Sequence, residues 1–136
     1  MLASIGIDII EIDRVRQALR RWPRLAARLF TAGERAYCES RADPAPHYAA
    51  RFAAKEAAAK TLGAPLRWHD VEVLRPQGGP PTIALHGRAA ELAGARRGGR
   101  LLVSLSHCRE HAIACVALVL RQESALSDQN LCPWEV

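Results

Sequence analysis

The stretch Arg51-Phe-Ala-Ala-Lys-Glu-Ala-Ala-Ala-Lys-Thr-Leu-Gly63 constrains this chain more than any other. Alanine and straight-chain residues favour helix, and glycine is the usual left-handed terminator. Upstream, Asp43-Pro44 offers a cap followed by proline at the first helical position. A helix from about Ala45 to Leu62, closed at Gly63, is therefore expected. Its alanines favour close approach by whatever packs on it. Glu56 and Lys60 are four residues apart and share a face, with Phe52 one turn earlier on the same face. Arg51 and Lys55 form a second cationic pair on a neighbouring face. A carboxylate beside apolar surface, with cations nearby, suits a metal ion and phosphates. It equally suits a solvated helix with an ordinary Glu-to-Lys pair.

Around that helix the chain reads as an α+β domain with a mainly antiparallel sheet. Residues 3–10 are β-branched and read as a strand interrupted by Asp8. Alternation offers two readings of Asp8. It faces solvent with Ile7 and Ile9 turned inward, or it is a buried ligand that must be paired or bind a metal. Asp13 to Trp22 reads as a helix with Ile12, Val15, Leu19 and Trp22 on one apolar arc, stopped at Pro23. Arg14 and Arg21 lie off the arc, nearly superimposed, and Arg16 and Arg20 lie on the other flank. Thr31 and Glu34 have capping-box spacing and predict a short helix to about Ser40. Val71 and Val73 alternate with Asp70 and Glu72 in a half-buried strand over 69–75, and a Gly-Gly-Pro-Pro turn leads to a returning strand over 82–86. A helix over 87–97, a strand over 101–106, a polar turn and a closing strand over 112–120 follow. Residues 1–120 form the domain, and 121–136 are expected as a partly disordered tail.

Composition narrows the function. Seventeen arginines and two lysines carry most of the basic balance, a net charge of +5. Such an excess suits an anionic partner: a phosphorylated cofactor, an acidic protein or nucleic acid. Two Phe and two Tyr offer few stacking platforms, which counts against nucleic acid. Both lysines sit in the opening stretch, where a compact ammonium serves and a planar guanidinium does not. No apolar run is long enough to span a membrane, and residues 1–8 lack signal-peptide features, so a cytoplasmic location with reduced cysteines is expected. No cysteine pair has CxxC spacing. There is no GxGxxG after a strand, no P-loop and no GxSxG. Cys108 with His111 is a weak nucleophile-and-base candidate, lacking a third orienting residue.

Three stretches gain meaning together: Gly6-Ile-Asp8 to Arg14, Arg51 to Gly63, and Ser104-Leu-Ser-His107. Their order and spacing resemble the small holo-acyl-carrier-protein synthases among the 4'-phosphopantetheinyl transferases. The resemblance extends through Trp68-His-Asp-Val-Glu-Val-Leu74 and Leu85-His-Gly-Arg-Ala89, and spans roughly residues 4–120. It implies that the chain moves the 4'-phosphopantetheine arm of coenzyme A to a serine of apo acyl carrier protein, with Mg²⁺. Asp8 and Glu56 match the metal ligands. Lys60 matches the lysine near the phosphates and the reacting serine. His107 matches the histidine near the adenosine, and Arg14, with Arg21 beside it, the contact to an acidic carrier helix. Arg51 and Lys55 are expected on the coenzyme A side, with a structural role as the alternative for Lys55. Glu56, directly or through a water on the metal, is the expected base. The family's small members are trimers with sites shared between chains. This chain departs from the family in its short segment 63–68 and in Cys108. The alternative in another class is a non-catalytic basic module binding an acidic protein or nucleic acid.

Overall fold

The computed structural model describes residues 1–122, so nearly all of the expected tail lies outside the described residues. Helix α4 (Pro44–Leu62) runs through the middle of the molecule. The Asp43 carboxylate accepts from the Ala45 N–H at 3.4 Å, Pro44 occupies the first turn, and Gly63 ends the helix at φ 69°. Burial is not confined to one stripe of α4: Ala49, Ala53, Ala54, Ala57 and Ala58 are all inaccessible. A helix wrapped this fully needs small side chains nearly all round.

Strands β1 (Leu2–Glu11), β4 (Arg100–His107) and β5 (His111–Val119) form an antiparallel sheet in the order β1-β5-β4. Strands β2 (Val71–Leu74) and β3 (Thr82–Leu85) form a separate hairpin, with Val71 and Val73 buried as expected. Helix α1 (Ile12–Arg21) follows β1 directly. Helices α2 (Leu25–Leu29) and α3 (Ala32–Glu39) lead into α4, and α5 (Gly87–Ala95) joins β3 to β4. The predicted capping box at the start of α3 forms: the Thr31 hydroxyl accepts from the Glu34 N–H at 3.2 Å, and Glu34 Oε1 accepts from the Thr31 N–H at 2.9 Å. Helix α2 was not expected, because five residues after Pro23 are too short to show a period. It places Phe30 in the core, where its ring meets Tyr48 at 4.8 Å.

The first strand reverses one of the two readings of Asp8. Gly6 is fully covered and Asp8 is partly covered, whereas Ile5, Ile7 and Ile9 are 62%, 55% and 61% exposed. Sterics override hydrophobicity here. A Cβ built on Gly6 would stand 2.3 Å from the Ala57 carbonyl oxygen and 2.4 Å from Thr61 Oγ1. Only a face carrying glycine can lie that close to α4, and Asp8, two residues on, shares that face. Ser4 tightens the contact by donating to the Thr61 carbonyl at 2.9 Å. Trp22 also departs from its expected place on the α1 arc, for it lies beyond the helix and is exposed.

Gly6→Ala tests this contact. The added methyl has no space, so the variant should lose about 1–3 kcal/mol or more in urea unfolding. A midpoint equal to that of the parent chain would show that β1 and α4 separate without penalty.

Candidate active site

Three of the expected residues come together where β1 crosses α4. Asp8 projects from the α4-facing side of β1, opposite Ala114 in β5. Lys60, in the last turn of α4, donates to Asp8 Oδ1 at 3.1 Å and to the Ile7 carbonyl at 3.0 Å. These bonds take two of the three donors of its ammonium. Glu56 is half-buried one turn earlier, next to Ala57 at the closest strand–helix contact. Among the described residues its carboxylate has no hydrogen-bond or ion-pair partner. The simple Glu56–Lys60 helix pair therefore does not form, because Lys60 turns to Asp8. The Lys60–Asp8 pair is largely solvent-exposed on the lysine side. Such pairs are worth about 0–1 kcal/mol, so an incoming anion can displace Asp8 from Lys60 at little cost.

Glu56 borders a recess of about 190 Å³, and the lining also includes Lys55, Ala59, Leu66, Arg67 and Trp68. Trp68 stacks on Phe52, with ring centroids 5.3 Å apart and planes at 28°. The apolar surface expected beside Glu56 is thus a Phe–Trp stack. Sequence reasoning singled out the short segment 63–68 but gave no individual role to Arg67 or Trp68, since their approach to α4 depends on the path of residues 63–70.

Lys55 is enclosed against the same recess, surroundings that suit the structural alternative expected for it. Its side chain is 1% exposed, and its ammonium is saturated by Glu34 Oε1 at 2.8 Å, the Trp68 carbonyl at 2.7 Å and the Val71 carbonyl at 2.5 Å. Burial pulls its pKa down, and the charge and hydrogen bond of Glu34 oppose that pull. One helical position from Glu56, it points about 100° away from it.

Arg51 and His107 belong to a separate cluster at the N-terminal half of α4. The Arg51 guanidinium is buried over the Tyr37 ring, 4.1 Å from its centroid, and donates to the His47 carbonyl at 3.3 Å. Among the described residues its Nε has no partner. His107 ends β4 with its ring edge-on to His47, 5.8 Å between centroids. Burial, then the charges of Arg51 and His107, hold the His47 pKa below the usual histidine value. Within one chain, then, His107 is not at the Asp8–Lys60 contact; it lies on the far strand of the sheet.

The expected partner surface is mixed in character. Arg14 lies at a cavity of about 340 Å³ that includes Ile9, Ala18, Leu25 and Phe52. Arg21 stacks on exposed Trp22 at 5.3 Å, beside a second cavity of about 460 Å³ with Pro23, Arg24 and Arg28. Arg16 is engaged internally, with Asp43 at 2.7 Å and Asp13 at 3.4 Å. Cys108 and His111 close the β4–β5 turn through backbone bonds, with Cys108 N–H donating to the His111 carbonyl at 2.9 Å. Their pairing is a turn rather than a nucleophile and its base.

Among the described residues, no cluster of three or more His, Cys, Asp or Glu is placed to hold a metal ion. Asp8 and Glu56 nevertheless fit Mg²⁺, which takes one or two carboxylates and fills its remaining positions with phosphate oxygens and water. Glu56 is unpartnered, and Asp8 is held only by an exposed lysine.

Residues 4–116 match the model of the 4'-phosphopantetheinyl transferase superfamily, and the chain belongs to that family. Its α+β architecture agrees with this. Among its relatives is the holo-[acyl-carrier-protein] synthase of Moorella thermoacetica, 51% identical over 132 residues, covering 95% of this chain and 100% of that protein. The holo-(acyl-carrier-protein) synthase of Bacillus anthracis, solved with CoA (3',5'-ADP), superposes with a TM-score of 0.73 at 29% identity, covering 89% of this chain and 99% of that one. The Helicobacter pylori synthase, solved with coenzyme A, gives a TM-score of 0.73 at 25% identity, over 85% and 99% of the two chains.

Proposed function

We propose that this chain transfers the 4'-phosphopantetheine group of coenzyme A to a serine of an apo acyl carrier protein, with Mg²⁺, releasing adenosine 3',5'-bisphosphate. The observation that carries the reading is the convergence of Asp8, Glu56 and Lys60 at one strand–helix contact in a chain of this family. The same likeness leaves the rival reading, a non-catalytic basic module, without support.

In the reaction the serine oxygen bonds to the phosphorus bearing the pantetheine arm. The bond from that phosphorus to the bridging oxygen breaks, and the bisphosphate leaves with the electron pair. Glu56 takes the serine proton, directly or through a water, and no side chain among the described residues competes for its carboxylate. Lys60 has one donor to spare and gives up Asp8 cheaply, so it follows charge onto the phosphates. Asp8 and Glu56 would hold Mg²⁺, which supplies neutralisation of the diphosphate charge when bound. Arg51 and His107 receive the adenosine end of coenzyme A. Arg14 and Arg21, with Trp22 and the neighbouring cavities, receive an acidic amphipathic helix of the carrier protein by charge and apolar complementarity. The carrier serves fatty-acid or polyketide synthesis in the cytoplasm. Cys38, Cys108 and Cys115 are free thiols, and no described helix is long and apolar enough to cross a membrane.

We further propose that the working unit is a homotrimer. The support is the face of the sheet turned away from α4. On it, Ile5, Ile7 and Ile9 align across the strands with Ala117, Cys115 and Ile113. Leu102 extends the patch onto β4. A contiguous apolar patch of this kind marks an association surface. In such a trimer, the His107 cluster of one chain is proposed to complete the Asp8–Lys60 contact of another.

The test of transfer is the mass of apo carrier protein incubated with the chain, coenzyme A and Mg²⁺. A gain of one phosphopantetheine is expected, and Glu56→Gln should abolish it in a folded chain. No gain across a panel of carrier proteins would sink the reading. In the same assay, Arg14→Glu should raise KM for the carrier on the order of tenfold while leaving KM for coenzyme A nearly unchanged; equal losses would remove Arg14 from the docking surface. In sedimentation equilibrium the parent chain should weigh as three copies and Ile7→Glu as one. A monomeric parent would refute the trimer.

A further inference from the structure

The transferase reading leaves one buried ionic group without a task. Lys55 and Glu34 are both enclosed, with side chains 1% and 0% exposed. A buried ion pair is rarely the cheapest way to hold elements together, because desolvation offsets most of the attraction and an apolar pair packs as well. What it offers instead is direction. The three donors of Lys55 reach three acceptors on two other parts of the chain: Glu34 in α3, and the Trp68 and Val71 carbonyls in the segment entering β2. Glu34 completes the link, for its second oxygen accepts from the Val73 N–H at 3.0 Å. The group therefore fixes residues 68–73 against the turn of α4 that carries Glu56. Trp68, whose carbonyl is one of the acceptors, lines the Glu56 recess and stacks on Phe52.

We infer that Lys55 and Glu34 are positioning residues for the transfer reaction, holding the Trp68 wall of the Glu56 recess in place for coenzyme A. The inference rests on the transferase reading for its kinetic consequence. The choice of residue supports it independently. Lysine occurs at two positions only in a chain that otherwise uses arginine. At position 55 three acceptors surround a single nitrogen in an enclosed site. An ammonium donates in three directions from one point, whereas a guanidinium spreads its donors in a plane and needs more room. A merely cationic surface position would show no such preference. The recess is lined mostly by apolar groups, with Glu56, Arg67 and the enclosed Lys55 as its charged residues; on the transferase reading its wall belongs to the coenzyme A side of the reaction. Arg14 and Arg21, on α1, lie elsewhere.

The test uses the double variant Glu34→Gln/Lys55→Met, which removes both charges and leaves neither unpaired. Its far-UV spectrum should match the parent's. KM for coenzyme A should rise on the order of tenfold, with KM for the carrier protein nearly unchanged. In a Trp22→Phe/Trp134→Phe background, where Trp68 is the sole tryptophan, the same double change should shift its emission to the red and increase acrylamide quenching. A folded double variant with unchanged Trp68 emission overturns the inference whatever its activity. Equal losses for both substrates also overturn it, since they mark general destabilisation. If the parent transfers nothing while the emission still shifts, the wall is positioned by the pair and the transferase reading is what fails. Should the double variant not fold, Trp68→Leu takes its place: a rise in KM for coenzyme A alone supports the wall, and an unchanged value overturns it.

Discussion

The close contact between Gly6 of β1 and Ala57 of α4 governs the arrangement of this molecule. It leaves no room for a side chain on the strand at that point. The consequences run outward from it. Gly6 must face the helix, so Asp8 faces the helix as well and the isoleucines of β1 face away. Lys60, one turn beyond Ala57, then reaches Asp8 and the backbone beside it. Glu56, on the other side of Ala57, is left without a cation. One steric requirement thus turns Asp8 towards α4, where Lys60 meets it, and exposes the apolar sheet face on which association is proposed.

The two lysines show how the same residue type serves opposite purposes on one helix. Lys60 is exposed and, among the described residues, holds two acceptors with a third donor unused, as suits the phosphate-following role proposed for it. Lys55 is enclosed and saturated, as suits a group that must not move. Their separation by five residues places them on different sides of α4, and only the depth of each side distinguishes the roles. Arginine would serve poorly at Lys55 for geometric reasons, because three acceptors converge on one nitrogen.

The remaining charged groups sort by location. Arg51 and His107 join His47 and Tyr37 at the N-terminal half of α4, while Arg14 and Arg21 sit with apolar cavities on α1. Each group is incomplete by itself. The proposed function joins the cationic, aromatic cluster to the two carboxylates, one on β1 and one on α4, through a long ligand with an adenosine end and a diphosphate. A basic surface beside Trp22 suits an acidic helix. The likeness to holo-acyl-carrier-protein synthases extends over nearly the whole chain, including the elements that carry these groups.

Local features were legible in the sequence because their causes lie within a few residues. The Thr31–Glu34 capping box, the Asp43-Pro44 start and the Gly63 end of α4 depend only on chain neighbours, and all three form as read. The family was legible too, since the spacing of Asp8, Glu56 and His107 is a property of the chain itself. The face presented by β1 was not. Two faces of a strand with alternating Ile and small or polar residues compete, and what decides is the width of the gap beneath α4. The acceptors of Lys55 were not legible for the same reason, as they come from segments distant in the chain. The sequence by itself determined the elements, their caps and the residue types able to handle phosphate and metal. The tertiary structure decided which of them meet, because contact between distant segments depends on how closely the backbones can pack.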